Sequence, residues 1–419
     1  MKKTRSTERG SVSKVLTFGH IPKFFGGQQQ QGLANAMWAT ASAMASQRKD
    51  YEVVFCATDI YKLFTVIGGL NTLGWTRFSL LAFLILAPAR SIRLISKIVP
   101  LCKKYELQVV RTVFKALHLQ RSISIVRPDF MHLHTCEAVV FIESGVVDAE
   151  NTIVTIHGIF GRKGPIGLNA MERALSSKNL LSLVFVSSNI SNEWIETYGV
   201  SNLRSRVIQN AFDRNQFFFE GKTQGTLCQG SKKVCRLLTI GTVCDRKGQK
   251  RVISALNQLK SNELRCEFKY TIVGDDPQGL IKEFLELALE SNTDVDYIPY
   301  LPPEGLRGLL AEVDFMILPS SNEGYGLVFT ESIACGVPVV LPKDLPICEE
   351  PNLLSEHNSV LLESCSSDAI FDFLCKIQSF TFERKGVSDS LPDLSWEKVG
   401  LLYCDAFTEM SRSKVNNIT

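Results

Sequence analysis

Residues 320–342 read SSNEGYGLVFTESIACGVPVVLP, and this stretch decides how the rest of the sequence is interpreted. It contains two carboxylates, Glu323 and Glu331, together with three glycines and an apolar run that is typical of a buried strand. A carboxylate can accept two hydrogen bonds at once, which suits the vicinal diol of a ribose or a sugar ring. Gly324 and Gly326 leave backbone N–H groups accessible to sugar hydroxyls or phosphate oxygens. The stretch therefore predicts a ligand site.

Outside this stretch, short apolar runs alternate with helix-length segments in both halves of the chain. The runs are continuously apolar, which is typical of parallel strands that helices cover on both faces. They are KVLTFGH, YEVVFCAT, DFMHLHT, NTIVTIH, LVFVSS and RVIQNA in the first half, and RLLTIGT, KYTIVG, VDYIPYL, DFMILPS, PVVLP and NSVLL in the second. We therefore predict an α/β fold of two doubly wound, Rossmann-like domains that face each other across a cleft, where such folds bind ligands.

A polar segment, EGKTQGTLCQGSKK at residues 220–233, separates the two halves and is predicted to be the interdomain linker. The length of 419 residues is compatible with two domains. We place these domains at residues 12–219 and 234–385. A flexible basic leader is predicted at residues 1–11, and a C-terminal segment at residues 386–419.

The composition is that of a folded globular protein, with 45% hydrophobic and 21% charged residues. The twelve cysteines include no C-x-x-C pair and no Cys/His cluster at metal-ligand spacing. They therefore disfavour a zinc site and a disulfide framework, and they fit a reducing cytosol. The basic stretch MKKTRSTERGS is followed by no apolar signal-peptide core, so we expect a cytoplasmic protein.

Positive charge is concentrated between residues 60 and 128. This segment has eleven Lys and Arg residues and one acid, so its net charge is +10, and the remaining chain carries about −7 to give the total of +3. It contains the apolar run FSLLAFLILAPA, which is shorter than the roughly 18–20 residues of a membrane span. Two interpretations stay open: a buried core helix beside a solvated basic face, or a surface that binds anionic lipid. Nucleic acid is a weaker third interpretation, because no known nucleic-acid-binding module is present.

Two glycine turns follow predicted strands. Gly26 and Gly27 come directly after the first strand, and TIGTVCDRKG opens the second domain with Arg246 and Lys247 in its turn. Glycine lets a ligand approach the backbone, and the helix that follows offers free N–H groups. The two cations could neutralise a diphosphate; an exposed charged turn is the alternative. Neither turn has the G-x-G-x-x-G pattern, so an NAD site is poorly supported.

The opening stretch resembles the E-x(7)-E signature of retaining GT-B glycosyltransferases, the glycosyltransferase family 4 or group 1 type, which includes many bacterial cell-surface polysaccharide transferases. Other segments are similar to the family's motifs in order and spacing, namely GGQ, TIHG at residues 155–158, VIQNAFDRNQF, IGTVCDRKG and YTIVGDDP. SWEKVGLLYCDAF resembles the family's terminal helix, which returns to the first domain. The resemblance covers nearly the whole chain. It implies an N-terminal acceptor-binding domain and a C-terminal domain that binds a nucleotide sugar.

The resemblance also implies roles for individual residues. Glu331 matches the acid that binds the donor ribose, and Glu323 matches the acid at the donor sugar. Lys247 matches the lysine on the donor diphosphate, and His157 matches the histidine that lines the acceptor and donor-sugar side. The catalytic residues implied are thus Glu323, His157 and Lys247. The donor-binding residues implied are Gly26, Gly27, Thr242, Arg246, Lys247, Gly324, Tyr325, Gly326, Leu327 and Glu331.

Two positions depart from the family pattern. Thr242 stands where the family often has an arginine, and we expect Arg246 to supply that charge. Residues 28–31 are all glutamine where the family often has an acid, so acceptor activation by a carboxylate in this loop is not expected. A metal-dependent GT-A enzyme would need a D-x-D motif. Asp294 and Asp296 form one, but we interpret it as a turn at the entry to a strand.

The implied reaction transfers a hexose-type sugar with retention of the anomeric configuration, and the departing phosphate takes the proton of the acceptor hydroxyl. We expect no metal and no cofactor, because Lys247, Arg246 and backbone amides can stabilise the leaving diphosphate. The expected partners are a nucleotide sugar, a glycan or lipid-linked acceptor of polysaccharide or lipopolysaccharide biosynthesis, and the anionic inner face of a membrane. Two alternatives on the same scaffold are a nucleotide-sugar epimerase and a non-catalytic nucleotide-sugar-binding protein.

Overall fold

The structure is a computed structural model that describes residues 12–19, 32–60, 65–67, 69–75, 83–159, 166–178, 182–199, 204–221, 226–227, 234–259, 266–290 and 293–416. The predicted leader, the loop with Gly26 and Gly27, and most of the predicted linker lie outside the described residues. The eleven cysteines within these ranges are all free thiols.

The first half of the chain builds an eight-stranded sheet in the order β3-β4-β2-β1-β5-β6-β7-β8. The strands are β1 (Ser13–Gly19), β2 (Tyr51–Ile60), β3 (Thr65–Ile67), β4 (Leu70–Trp75), β5 (Phe130–His134), β6 (Thr152–Ile156), β7 (Ser182–Phe185) and β8 (Arg204–Val207). Neighbours pair in parallel except β3 and β4, which are antiparallel at one edge. The sequence pattern predicts six of these strands and misses β3 and β4.

The second half builds a six-stranded sheet in the order β12-β11-β10-β13-β14-β15, parallel throughout. Its strands are β10 (Val234–Ile240), β11 (Glu267–Val273), β12 (Asp294–Ile298), β13 (Phe315–Ile317), β14 (Val339–Pro342) and β15 (Ser359–Leu362). A small antiparallel pair joins β9 (Thr226–Leu227), inside the predicted linker, to β16 (Phe382–Glu383). The two large sheets confirm the predicted α/β fold.

Helices occupy most of the segments between strands. In the first half they are α1 (Gly32–Gln47), α2 (Pro88–Lys104), α3 (Val109–Val126), α4 (Ala138–Glu143), α5 (Ile166–Ser176) and α6 (Ser188–Tyr198). In the second half they are α7 (Gln249–Leu259), α8 (Ile281–Glu290), α9 (Pro303–Glu312), α10 (Leu327–Ala334), α11 (Ser367–Cys375), α12 (Arg384–Asp389) and α13 (Trp396–Asn416).

Several strands are buried along their whole length, which is typical of parallel sheets. Every residue of β5, β6, β7, β13 and β14 is buried, as expected where helices cover both faces of a sheet. In the second sheet, the strand order changes direction between β10 and β13. The loops that leave such neighbouring strands diverge and open a crevice at their carboxyl ends. In this chain those two loops carry Lys247 and Glu323.

The C-terminal helix α13 returns to the first domain and packs against α1. The two helices approach so closely that a Cβ atom on Gly400 would lie 2.6 Å from the carbonyl carbon of Ala43. Phe407 continues the contact, with its ring centroid 5.4 Å from that of Phe130 on β5. Helix α13 therefore forms part of the core of the first domain.

The apolar run in the basic segment is not a buried core helix over its described part. Ile85 and Leu86 are 68% and 83% exposed, while Phe83 and Leu84 pack against the core. The core-helix interpretation is therefore wrong for Ile85 and Leu86, because only the first two side chains of this short stretch face the domain. Among the helices that the structure describes, none has the length and apolar character needed to cross a membrane.

Candidate active site

A cleft of about 940 Å³ lies between the two domains. His157 and Gly158 line it from the first domain, directly after β6, and Lys247, Glu323 and Glu331 line it from the second. All the described residues that the sequence analysis proposes for the site line this cleft, including those of the EGYGL motif. Gly26 and Gly27 belong to the undescribed part of the chain.

Glu323 is the centre of a charge cluster. Its Oε1 lies 2.7 Å from Lys247 Nζ and 2.9 Å from a guanidinium nitrogen of Arg246. The side chains of Glu323 and Lys247 are only 10% and 12% exposed, whereas Arg246 is half exposed. Burial would raise the pKa of Glu323, but the two cations outweigh burial and lower the pKa below its ordinary value. One carboxylate faces two cations, so a net positive charge remains available to an anionic ligand.

The turn after β10 is held against the loop after β13. The N–H of Ser321 donates to the carbonyl of Arg246 at 2.9 Å, and Arg251 donates to the carbonyl of Pro319 at 2.7 Å. Gly248 closes the turn with φ of 83°, and a Cβ atom there would lie 2.6 Å from the Pro319 oxygen. Only glycine fits both the left-handed backbone and this contact. The charge cluster is therefore supported by backbone geometry.

Lys247 reaches the cleft by lying against Gly241, where an added Cβ atom would be 3.2 Å from its Cε. The neighbouring Thr242 brings no charge to the site. Its hydroxyl donates to Asp275 Oδ1 at 2.7 Å, which ties together the loops after β10 and β11. Arg246 and Lys247 both pair with Oε1 of Glu323, so the site has two cations although position 242 is a threonine.

Glu331 lies on α10 and is half-buried in the wall of the cleft, and its carboxylate makes no hydrogen bond or ion pair with the residues that the structure describes. Burial raises the pKa of this carboxyl group to about 7. An ionisable group removed from water without a partner costs free energy, and a ligand that donates hydrogen bonds recovers it. Glu331 is therefore suited to bind a pair of hydroxyl groups.

The two glycines of the EGYG motif are required by packing. A Cβ atom on Gly324 would lie 2.1 Å from the carbonyl oxygen of His157, so the backbones of the two domains touch here. Gly326 precedes α10 with φ of 73°, and a Cβ atom there would lie 2.6 Å from the ring of Phe329. The bare backbone of this motif is thus needed for domain contact and for the start of the helix.

Tyr325 lies between these glycines and is 3% exposed. Within the described ranges its hydroxyl has no hydrogen-bond partner. Burial raises the pKa of Tyr325, and the negative charge of Glu350 adds to the effect. Its side chain therefore contributes neutral, mostly apolar surface to the wall of the cleft.

His157 is a neutral hydrogen-bonding group. Its Nε2 lies 3.0 Å from Nδ1 of His134, at the end of β5. Burial lowers the pKa of His157 to about 3, so the ring carries no charge at neutral pH. His134 was not predicted as a site residue, because nothing in DFMHLHT distinguishes it from an ordinary strand-end histidine.

The D-x-D pair lies away from the cleft. Asp294 and Asp296 are within β12 itself, so the prediction of a turn at the strand entry is wrong. Asp296 pairs with Lys269 on the neighbouring β11 at 2.8 Å. Strand β12 is at the edge of the sheet, where outward-facing charges are tolerated. Neither acid lines the cleft.

Glu350 joins the two domains and was also missed by the sequence analysis. Its carboxylate accepts the N–H of Ser188 at 2.8 Å and a hydrogen bond from the side-chain amide of Gln209. Ser188 begins α6, so the carboxylate lies at the positive end of a helix. Glu350 is 4% exposed. The letters CEEP resemble a surface turn, and only the fold reveals a buried interdomain contact.

Tyr300 and Leu301 follow β12 and line the same cleft. They give the second domain an aromatic and apolar wall in addition to its charged groups. The segment YIPYLPP contains no chemical signal beyond the exit of a strand, so the sequence analysis does not single out these residues.

Comparison with known proteins gives a family match for the second domain. Residues 230–372 match the family described as glycosyl transferases group 1. In the solved sucrose-phosphate synthase from Thermosynechococcus elongatus, the same fold covers 96% of this chain and 100% of that chain, with a TM-score of 0.70 and 14% sequence identity.

Two curated relatives are similar over parts of the sequence. The GPI3 subunit of phosphatidylinositol N-acetylglucosaminyltransferase from Saccharomyces cerevisiae is 22% identical over 262 residues, which are 58% of this chain and 57% of the relative. O-antigen chain mannosyltransferase B from Escherichia coli is 31% identical over 144 residues, 32% of this chain and 37% of the relative. The chain therefore spans about half or less of the length of these relatives.

Proposed function

We propose that the protein is a retaining glycosyltransferase, because residues 230–372 match the family of group 1 glycosyl transferases and the chain has the GT-B fold. It moves a hexose-type sugar from a nucleotide-diphosphate sugar to a glycan acceptor. We further propose a lipid-linked acceptor, in cell-surface polysaccharide or lipopolysaccharide biosynthesis. The similarity to an O-antigen mannosyltransferase and to a phosphatidylinositol N-acetylglucosaminyltransferase supports this class of acceptor.

The observation that carries the donor assignment is the contrast between the two acids of one motif. The carboxylate of Glu331 is desolvated and has no partner among the described residues, whereas Glu323 has two cations on one oxygen. A nucleotide sugar contains both complementary groups, because its ribose diol donates hydrogen bonds and its diphosphate is anionic. The diol suits Glu331, and the diphosphate suits Lys247 and Arg246.

The mechanism follows from the same groups. Lys247 and Arg246 stabilise the negative charge that develops on the leaving diphosphate, which is electrostatic stabilisation by groups already in place. His157 is neutral, so it does not repel a transition state that resembles an oxocarbenium ion. The acceptor hydroxyl attacks on the face from which the diphosphate departs, and the phosphate takes its proton.

Two conservative variants test the donor site. We expect Glu331→Gln to weaken binding of a nucleoside diphosphate by roughly 1.5–3 kcal/mol, since a charge-assisted hydrogen bond is lost. Glu323→Gln frees two cations, so we expect binding to be retained and turnover to fall. Calorimetry measures the affinity, and proton NMR of the product measures the anomeric configuration. Unchanged affinity in Glu331→Gln would remove the ribose role.

The matched control is Glu283→Gln, which changes an exposed carboxylate that pairs with Lys250 on the surface. It should alter neither binding nor turnover. A product of inverted configuration would overturn retention. A protein that binds nucleotide sugars and transfers nothing would favour the epimerase or the binding protein as the alternative function.

We propose that the reaction needs no divalent metal, because the two cations already face the site of the leaving group. Activity should then persist in EDTA. Complete loss in EDTA, with recovery on addition of Mn²⁺ or Mg²⁺, would contradict this proposal and would bring Asp294 and Asp296 back into consideration.

The proposed membrane contact rests on α2, α3 and the residues before α2. Exposed apolar side chains are present here, namely Ile85, Leu86, Ile92, Val110 and Ile125. Part of the positive charge is used internally, since Lys104 pairs with Glu143 at 3.1 Å and Lys115 pairs with Glu137 at 2.6 Å. Arg93, Lys103 and Arg111 are exposed on the same helices. Basic and apolar groups together suit an anionic lipid surface.

Vesicle sedimentation of the 419-residue chain tests this contact. Binding should require anionic lipid, weaken in high salt, and fall when Arg93, Lys103 and Arg111 are changed to Glu. The matched control changes three exposed lysines of the second domain, Lys282, Lys376 and Lys385, to Glu. An equal loss of vesicle binding in both triple variants would mean that binding depends only on the net charge of the protein. No binding to anionic vesicles at low salt would make a soluble acceptor the better proposal.

A further inference from the structure

His134 contacts His157, which lines the cleft. Strands β5 and β6 are neighbours in the sheet, and His134 pairs in register with Thr155, two residues before His157. This register places the two rings side by side, with His134 Nδ1 3.0 Å from His157 Nε2 and ring centroids 5.2 Å apart. His134 is 7% exposed, so water competes little for this hydrogen bond.

The ring of His134 packs against a second histidine on the same strand. The ring of His132 lies 4.3 Å away, centroid to centroid. His132 Nε2 is 2.9 Å from the hydroxyl of Thr155, which is 2.9 Å from the hydroxyl of Tyr403. Tyr403 is on α13, so the returning helix closes a buried polar chain that ends at the cleft.

The backbone after His134 supports the same arrangement. Thr135 has φ of 68°, a left-handed conformation that is unfavourable for a β-branched residue. Its N–H donates to the carbonyl of Thr155 at 2.9 Å. Strained backbone persists only where surrounding contacts fix it. Here it ends β5 sharply and keeps His134 beside His157.

We propose that His134 is a positioning residue that fixes the tautomer and the orientation of His157. A neutral imidazole has one N–H, so the hydrogen bond between His134 Nδ1 and His157 Nε2 couples the tautomers of the two rings: one nitrogen donates and the other accepts. Nδ1 of His157 then has the opposite role to Nε2: it accepts a hydrogen bond if Nε2 donates, and it donates if Nε2 accepts. Burial lowers the pKa of both His132 and His157 to about 3, which keeps the rings neutral and makes the tautomer the relevant variable. The effect on turnover rests on the proposed transferase function, whereas the effect on the tautomer does not.

Two substitutions separate positioning from packing. In His134→Asn, the amide group occupies nearly the place of Nδ1 and can keep the hydrogen bond, whereas His134→Leu cannot. We expect the ¹⁵N spectrum of labelled wild-type protein to show one dominant tautomer of His157, assigned with a His157→Gln variant. His134→Leu should give a mixture of tautomers, and His134→Asn should restore the dominant one. In the transfer assay, kcat should fall about tenfold in His134→Leu, with KM little changed and with recovery in His134→Asn.

The matched control is His118→Leu, which removes another buried histidine of the first domain. His118 forms hydrogen bonds with Cys56 and with the carbonyl of Ala57, on β2. It should lower thermal stability without changing the tautomer. If His134→Leu does not fold, His134→Gln replaces it, because its amide lies one carbon further from the backbone and loses the contact.

The outcomes for this inference and for the proposed function are distinguishable. An unchanged His157 tautomer in a folded His134→Leu protein would overturn the positioning role, whatever the activity. Failure of His134→Asn to restore the tautomer would overturn it too. If the wild-type protein transfers no sugar from any nucleotide sugar, the transferase proposal fails, while the ¹⁵N spectra still decide the role of His134.

Discussion

Burial raises the pKa of the Glu331 carboxyl group to about 7, so near neutral pH the group is about half protonated. A diol that donates to both oxygens favours the ionised form and should lower this pKa on binding. We therefore expect donor binding to release a proton, and affinity to fall by up to about tenfold per pH unit below pH 7. Calorimetry at pH 6.5 in two buffers of different ionisation enthalpy measures the proton. The control is Glu331→Gln, which should release none, and equal heats in both buffers for the wild type would contradict the ribose role.

The same carboxyl group should make the free protein less stable at alkaline pH. Its pKa is higher in the folded than in the unfolded state, so its contribution to stability is complete below about pH 4 and is lost as pH rises through about 7. Glu331→Gln should therefore increase the free energy of unfolding at pH 8 by about 1–3 kcal/mol, with no gain at pH 4. Denaturant titration measures the difference.

Glu323 supplies a control of opposite sign from the same motif. Lys247 and Arg246 outweigh burial and lower its pKa, so Glu323 contributes stability above the unfolded pKa and loses it as pH falls. Glu323→Gln should therefore destabilise the protein at pH 8. If both glutamine variants shifted stability in the same direction at pH 8, the assignment of one free and one paired carboxylate would be wrong.

At the scale of structural elements, the loop before α10 controls how closely the two domains approach. We expect Gly324→Ala to reduce both stability and kcat/KM, because the new Cβ atom would lie 2.1 Å from the His157 oxygen and must push the loop or the domain away. Overpacking of this kind costs about 1–3 kcal/mol. The matched control is Gly308→Ala in α9, where a Cβ atom meets nothing within 4 Å and where stability should be equal or slightly higher. Thermal unfolding and transfer kinetics compare the two variants, and wild-type behaviour in Gly324→Ala would contradict the domain contact.

Sequence predicts the strands that have a continuous apolar run and misses those that are short or interrupted by polar residues. Strands β5 and β13 are apolar throughout, so their pattern is unambiguous. Strand β3 is the short edge strand, and β4, which pairs with both β3 and β2, has the sequence LNTLGW, in which polar and glycine residues interrupt the apolar pattern. The site residues that sequence predicts are likewise those that stand out within their own segment. Glu323 and Glu331 are predictable because acids in an apolar segment need a chemical reason.

Contacts between distant segments are the part that sequence alone does not reveal. His134 meets His157 across 23 residues, and Glu350 meets Ser188 across 162. Each of these side chains is unremarkable in its own segment, and the contact exists only because the sheet register and the domain packing place the partners together. Thr242 is a different case. The sequence shows that a threonine replaces the family's arginine, but only the structure shows that this threonine donates to Asp275.

At the scale of the whole molecule, three histidines with lowered pKa values should reduce stability in weak acid. Burial lowers the pKa to about 4 for His118 and to about 3 for His132 and His157. The ordinary value near 6.5 applies to the unfolded chain. Below about pH 6.5 the unfolded chain therefore binds up to three more protons than the folded protein at these sites, and stability falls as pH falls. Glu331 opposes this between about pH 7 and 4.5, because there the folded protein holds the extra proton.

The net excess of about two protons gives a loss of roughly 2–3 kcal/mol per pH unit between about pH 6 and 5. This is a large share of a typical stability of about 5–15 kcal/mol. Denaturant titrations at pH 7, 6 and 5 measure it directly. His118 is one of these three histidines and does not line the cleft. His118→Asn should therefore reduce the dependence of the unfolding free energy on pH by about 1.4 kcal/mol per pH unit. A free energy of unfolding that stays constant from pH 7 to 5 would show that these rings take up protons in the folded protein, and the buried polar chain from Tyr403 to His157 would then not be held in its neutral form.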